Sequence, residues 1–248
     1  MFNDADFNSL FFINGVSRSG NHAIINWIKS HFKNCFFINN VDIDKSDFNS
    51  IVPRRRLQYH NEQMESFRTT SGDKSLILSY ENRRVLDWNK SSFNLNPHQT
   101  YRFIIIRDFY NLMASVCKSF DQRARFHGKK MKVRKRVLKH KQRWIDNVQY
   151  VLSNPKDHFI FYNKWVTSLE YRIQISHSFN KDNNDEEFYK VANYNGGSSF
   201  DGMKYKNHPE EMDVLNRYEA MSDHPLMVEI CNDPLCRDLN HQLLEMFK

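Results

Sequence analysis

The eighteen residues from position 11, FFINGVSRSGNHAIINWI, constrain the fold more than any other stretch. An apolar run, Leu10-Phe11-Phe12-Ile13, stops at Asn14-Gly15, and a small polar loop, Val16-Ser17-Arg18-Ser19-Gly20, follows it. Ile24, Ile25, Trp27, Ile28 and Phe32 then recur on one side of a helix. The pattern predicts a strand, a tight glycine-bounded loop and a helix. Such a turn leaves the first N–H groups of the helix without internal partners and aims its dipole at the loop, which makes an anion site. Gly15 and Gly20 have the spacing of the two glycines of a phosphate-binding P-loop. The Lys and Ser/Thr that would come next in a nucleoside triphosphatase are replaced by Asn21 and His22. A cation, Arg18, stands inside the loop instead. The expectation is a phosphate-bearing ligand that does not arrive as a Mg²⁺ complex.

A chain of 248 residues reads as one domain, 1–248, with ample length for a core. No apolar run reaches the roughly 18 residues of a membrane span, and the first ten residues have no basic leader. A cytoplasmic protein is expected. Cys35, Cys117, Cys231 and Cys236 are scattered without metal-ligand spacing, so reduced thiols and no metal site are expected. The net charge of +7 is unevenly placed: residues 118–143 hold twelve Lys/Arg and one acid, Asp121, and the remainder of the chain is net acidic. A field so concentrated attracts an anionic partner.

Further strands are expected at 35–38, 75–81, 101–106 and 159–162. Phe103 to Ile106 reads as a parallel strand covered on both faces. Loop or connecting chain is expected at 42–53 and 82–100, and 54–72 has no clean period. Leu112, Val116 and Phe120 recur at helical spacing, and Trp144, Ile145, Val148, Val151 and Leu152 resume a helix before Asn154-Pro155. Helices are also expected at 164–179, from Pro209 through Met221, and over most of 226–247. Strands alternating with helices predict an α/β parallel sheet whose ligand lies beyond the carboxyl ends of the strands. Arg18, Glu81 and Arg107 all follow predicted strand ends.

The second informative stretch runs Ile105-Ile106-Arg107-Asp108 to Ser115. Arg107 leaves a buried strand and Ser115 lies about two turns into the next helix, so both could reach one phosphate. The plainer alternative is a local Arg107–Asp108 ion pair. With the Mg²⁺-free loop, this pair makes the chain resemble the sulfotransferases that use 3′-phosphoadenosine 5′-phosphosulfate (PAPS), a P-loop-type α/β family. Arg18-Ser19-Gly20 matches the family's loop for the 5′-phosphosulfate, with Asn21-His22 departing from its hydroxyl residues. Arg107-Asp108 and Ser115 match its 3′-phosphate segment, with Phe109 in place of proline. The resemblance implies sulfuryl transfer from PAPS, with 3′-phosphoadenosine 5′-phosphate (PAP) as product and no metal, to a hydroxyl acceptor of carbohydrate or other glycan type. It implies donor contacts from Arg18, Ser19, Gly20, Asn21, His22, Arg107 and Ser115.

The family often places a His or Glu base at a strand end, where this chain has Glu81; the alternative for Glu81 is pairing with Arg83 or Arg84. His22 and His60 are rival bases. Residues 195–206 resemble the family's late donor-covering loop, from which Ser199, Lys204 or Lys206 would assist the 3′-phosphate and Phe200 would stack on adenine. The basic segment at 118–143 falls where the family carries an acceptor-binding insertion. It is either a solvated helix face or a surface for an anionic acceptor. Nucleic acid is less well supported, because few aromatics interleave the charges. Two other classes stay open: a non-catalytic basic module binding nucleic acid or a polyanion, and a P-loop kinase.

Overall fold

The computed structural model describes residues 7–41, 71–83, 97–127, 133–191, 198, 200–206 and 208–248. The expected loop at 42–53, the aperiodic chain up to position 70, residues 84–96, His60, Ser199 and Gly196-Gly197 lie outside them. Five strands, β1 (Ser9–Gly15), β2 (Asn34–Ile38), β3 (Lys74–Glu81), β4 (Gln99–Ile106) and β5 (Phe159–Phe161), form one sheet in the order β2-β3-β1-β4-β5. Every pairing is parallel. Gly15 stands level with Glu81 on one neighbour and with Ile105 on the other. The loop after β1, the end of β3 and Arg107 therefore crowd the same sheet end.

Side chains of successive strand residues point to opposite faces. Leu10, Phe12, Leu76, Leu78, Ile104 and Ile106 pack on one face with α2 (Phe109–His127), α3 (Val133–Ser153), α6 (Pro225–Cys231) and α7 (Pro234–Met246). Phe11, Ile13, Ile77, Phe103, Ile105 and Ile160 pack on the other with α1 (Asn21–Ser30), α4 (Tyr162–Thr167) and α5 (Leu169–Ser178). With both faces covered, Phe103 to Ile106 is apolar without a break. Each such side chain contributes about 1.5–3 kcal/mol by leaving water. No helix of the described residues is long and apolar enough to cross a membrane. All four cysteines are free, and burial pushes the thiols of Cys35 and Cys117 up to about 12 and those of Cys231 and Cys236 up to about 11.

Two expected elements are corrected. The helix expected at 164–179 is two, because Ser168 adopts an extended conformation and its hydroxyl accepts from Tyr171 N at 3.1 Å, capping α5. The helix expected from Pro209 through Met221 is two short 3₁₀ turns, Pro209–Glu211 and Glu219–Met221. The backbone groups between them are claimed from α2 and the residues just before it. Arg107 donates to Val214 O, Asn111 Nδ2 donates to Leu215 O at 2.6 Å, and Tyr218 N donates to Asn111 Oδ1 at 3.0 Å. Residues 226–247 are mostly helical, as expected, in two helices parted at Asn232-Asp233, where Asp233 Oδ1 accepts from Leu235 N at 2.9 Å to start α7. The basic segment forms the second half of α2 and the first half of α3, helices continuous with the core; residues 128–132 are outside the described set.

Just past α1, His31 ties the loop before Glu186 to the fold. Asn184 N donates to its Nε2 at 3.0 Å, so Nδ1 carries the proton and donates to Trp27 O at 2.7 Å. Burial, opposed by that carbonyl bond, lowers its pKa below the ordinary 6.5. The unfolded chain therefore binds this proton more readily, and His31 makes stability fall as pH drops below about 6.5. Denaturant titrations between neutral and mildly acidic pH should show this fall, and His31→Gln should flatten part of it.

Candidate functional site

The loop after β1 is held in a shape that a free peptide would avoid. Arg18 has φ +80° and Gly20, the N-cap of α1, has φ +87°. A non-glycine residue in the left-handed region costs of order 1–3 kcal/mol, and clamps hold it there. Asn82 Oδ1 accepts from Ser17 N at 2.9 Å and its amide donates to Ser17 Oγ. Arg107 Nη1 donates to Arg18 O at 3.1 Å, and Ser19 N donates to Val16 O at 3.1 Å. The close approach also needs glycine, since a Cβ on Gly20 would lie 2.1 Å from Tyr162 Cε2.

The first hydrogen bond of α1 runs from Ile24 N to Gly20 O at 3.1 Å, so the N–H groups ahead of it face the loop. No side chain caps this end and its first turn holds no acid. Ser19 is 0% exposed with its hydroxyl unpartnered. A buried donor so placed is ready for an anion.

Three guanidinium groups gather here. Arg107 is 1% exposed, grips the carbonyls of Arg18 and Val214, and lies with its Cζ 4.7 Å from the Tyr162 ring centroid. Its Nε is 3.9 Å from Asp108 Oδ2 without a hydrogen bond. Burial lowers its pKa, and the nearby charge of Arg217 adds to the lowering. Arg18 Nη2 donates to Ser119 Oγ at 2.8 Å; burial first, then Arg123, and also Arg217 lower its pKa while Glu81 opposes them. Arg217, buried, donates through Nη1 to Ser115 Oγ at 3.2 Å and through Nη2 to Ser198 Oγ at 3.0 Å and Asp201 Oδ2 at 2.8 Å. Like charges are thus brought together with few carboxylates, an arrangement that an anion relieves.

Structure comparison aligns 97% of this chain with 96% of the sulfotransferase domain of the Synechococcus PCC 7002 olefin synthase, at 9% identity and a TM-score of 0.50. The chain has the sulfotransferase fold. Mouse sulfotransferase SULT7A1, complexed with PAP, aligns over 94% of this chain and 89% of its own at 13% identity, with a TM-score of 0.46. Sequence comparison finds no matching family model and no matching curated protein.

The residues expected at a sulfotransferase-like site fall into three groups. Arg18, Ser19, Gly20, Asn21, Glu81 and Arg107 come together at the sheet end. Asn21 Nδ2 lies 3.4 Å from Gly15 O, 3.3 Å from Val16 O and 3.1 Å from Glu81 Oε1, so its amide braces the loop and steadies the carboxylate. Arg84 lies outside the described residues. His22, at the second position of α1, sets its ring edge-on to Phe37, centroids 6.3 Å apart.

Ser115 forms a second group with a residue that sequence reasoning missed. It donates to Asn111 O at 2.9 Å and accepts from Arg217, whereas Arg107 turns to the loop carbonyl. Asn111, Ser115 and Ser119 recur every fourth residue through the mostly apolar first half of α2, and this polar stripe was the available signal for the arginines it meets. The late loop is the third group. Phe200 is buried, with Lys118 Nζ 3.6 Å and Arg217 Cζ 5.0 Å from its ring centroid. Lys204 is exposed and donates to Tyr205 OH at 2.8 Å, and Lys206 is exposed.

Gly20→Ala is expected to destabilise the fold by at least about 2 kcal/mol, the sum of left-handed strain and the Tyr162 overlap, as read by denaturant titration. Near wild-type stability would show that the loop is not held as described.

Proposed function

We propose that the protein is a sulfotransferase moving a sulfuryl group from PAPS to a hydroxyl acceptor of carbohydrate or related type, in the cytoplasm. The observation that carries this reading is the clamped loop, in which the Ser19 hydroxyl is buried and unpartnered next to Arg18, whose carbonyl accepts from Arg107. The sulfotransferase fold supports it, and four free thiols suit a reducing compartment. The residues suit the donor: Arg18, Ser19 and the N–H groups of Gly20 to His22 would hold the 5′-phosphosulfate, and Ser115 with Arg217 the 3′-phosphate. Arg107 keeps the loop in position from below. Ser199 and Lys204 are assigned supporting contacts, Lys204 after leaving Tyr205.

PAPS supplies an activated sulfuryl group and a phosphate leaving group. Glu81, aimed by Asn21, takes the proton of the acceptor hydroxyl as its oxygen forms the new S–O bond and the S–O bond to the donor phosphate breaks. Arg18 and the first N–H groups of α1 face the oxygen on which charge develops; donors already oriented there lower the barrier.

PAP should raise the melting temperature, by about 2.7 kcal/mol of added stability at a hundredfold excess over its Kd, while ATP with Mg²⁺ and DNA should not. A shift with ATP–Mg²⁺ alone would favour a kinase, and one with DNA alone a binding module. Arg18→Ala should lower kcat by about 10²–10³-fold with a smaller change in PAP affinity. Glu81→Gln should lower kcat by about 10²–10⁴-fold. Wild-type turnover in either variant at saturating PAPS would remove that residue from the chemistry.

A further inference from the structure

Arg217 already holds an anion. Its Nη2 has two acceptors on the late loop, Asp201 Oδ2 at 2.8 Å and Ser198 Oγ at 3.0 Å. Nη1 donates to Ser115 Oγ at 3.2 Å, and Nε is buried without a partner. A guanidinium grips an anion bidentately through one of two forks, Nη1 with Nη2 or Nη2 with Nε. Both forks use Nη2. A phosphate bound by Ser115 and Arg217 therefore finds its position taken by the Asp201 carboxylate.

The carboxylate is presented by a stretch of chain that is bonded to itself. Ser198 Oγ donates to Asp201 Oδ2 at 3.0 Å and accepts from Phe200 N at 3.2 Å and Asp201 N at 3.1 Å. Ser198 and Gly202 exchange backbone bonds of 2.9 and 2.7 Å, and Gly202 turns the chain with φ +63°. Phe200 anchors the loop by packing into the α2 side of the core, with Lys118 Nζ over its ring. The two charges are unequally covered: the Arg217 side chain is 7% exposed and that of Asp201 is 18% exposed. Asp201 can thus turn outward to water while Phe200 keeps the loop in place, whereas Arg217 stays inside.

We propose that Asp201 is an internal place-holder for a phosphate monoester: it neutralises Arg217 in the resting chain and gives way to the donor's 3′-phosphate. A buried guanidinium stripped of its anion is strongly destabilising, so the fold supplies a carboxylate when no ligand is present. A phosphate monoester carries about −1.5 to −2 charge at pH 7 and one more acceptor oxygen than a carboxylate, so it wins the exchange at the guanidinium. A nucleotide without a 3′-phosphate leaves the Arg217–Asp201 pair intact. Donor binding is therefore autoinhibited at one of its two phosphate positions, and the donor itself lifts the inhibition. The identity of the incoming phosphate rests on the sulfotransferase reading; the occupied guanidinium does not.

Calorimetry with PAP and with adenosine 5′-phosphate, which lacks the 3′-group, tests the exchange. Asp201→Asn removes the competing charge, and its amide oxygen can still accept from Nη2, so the loop is kept. This variant should bind PAP about tenfold more tightly than the wild type, with adenosine 5′-phosphate binding unchanged. A carboxylate that only positioned Arg217 would give the opposite sign, since its loss would weaken PAP. In an Arg217→Gln background, Asp201→Asn should bring no gain, because the two residues act as one unit. The comparison of the two nucleotides needs Asp201→Asn alone, so it stands even if the doubly substituted chain does not fold. Equal or weaker PAP binding by Asp201→Asn, or an equal gain for both nucleotides, would overturn the exchange and leave the sulfotransferase reading in place. PAP binding to neither chain would overturn both.

Discussion

A single buried guanidinium organises this end of the molecule. Arg107 leaves β4 with almost no exposure and has no carboxylate at hydrogen-bond distance. Its charge is accommodated by two backbone carbonyls, one from the loop after β1 and one from the C-terminal region, and by the face of Tyr162. Leaving a buried charge with its partners removed costs about 3–5 kcal/mol, so both segments must close on it. That closure holds Arg18 in a left-handed conformation and takes Val214 O away from any helix between Pro209 and Met221. Trp144 adds a third tie by donating to Arg107 O, linking α3 to the strand end.

The polar stripe of α2 extends the same logic. Asn111 reaches the chain before Tyr218, Ser115 meets Arg217 and Ser119 meets Arg18. One helix thus spaces two arginines that repel each other from segments about two hundred residues apart in the chain. Repulsion among groups that the fold forces together is stored until an anion relieves it. The outer cations Arg134 and Lys141 are paired with Glu229 of α6 and with Asp233, the cap of α7.

Local pattern was enough for the sheet. The runs in β1, β3 and β4 are too apolar for a one-sided strand, and each ends on a polar residue where the parallel topology gathers chain ends. The same legibility extended to Arg18, Ser19, Gly20, Glu81 and Arg107, all adjacent to those ends. Where an element's ends depended on distant side chains, the reading failed. Residues 209–221 have helical composition, and their backbone is claimed by Asn111 and Arg107. Residues 164–179 have helical composition too, but there the break is local, with Ser168 capping in the middle of them.

What the sequence by itself determined is the α/β architecture, the glycine-bounded loop without a magnesium ligand, and the order of two arginine-bearing strand ends, because periodicity and turn chemistry are local properties. Only the tertiary structure decided that Arg217 and not Arg107 meets Ser115, that Phe200 is covered, and that Asn21 meets Glu81. Those outcomes depend on which side chains become neighbours after the chain closes: the stripe of Asn111, Ser115 and Ser119 marks a polar face in the sequence but does not name the partners a hundred residues away.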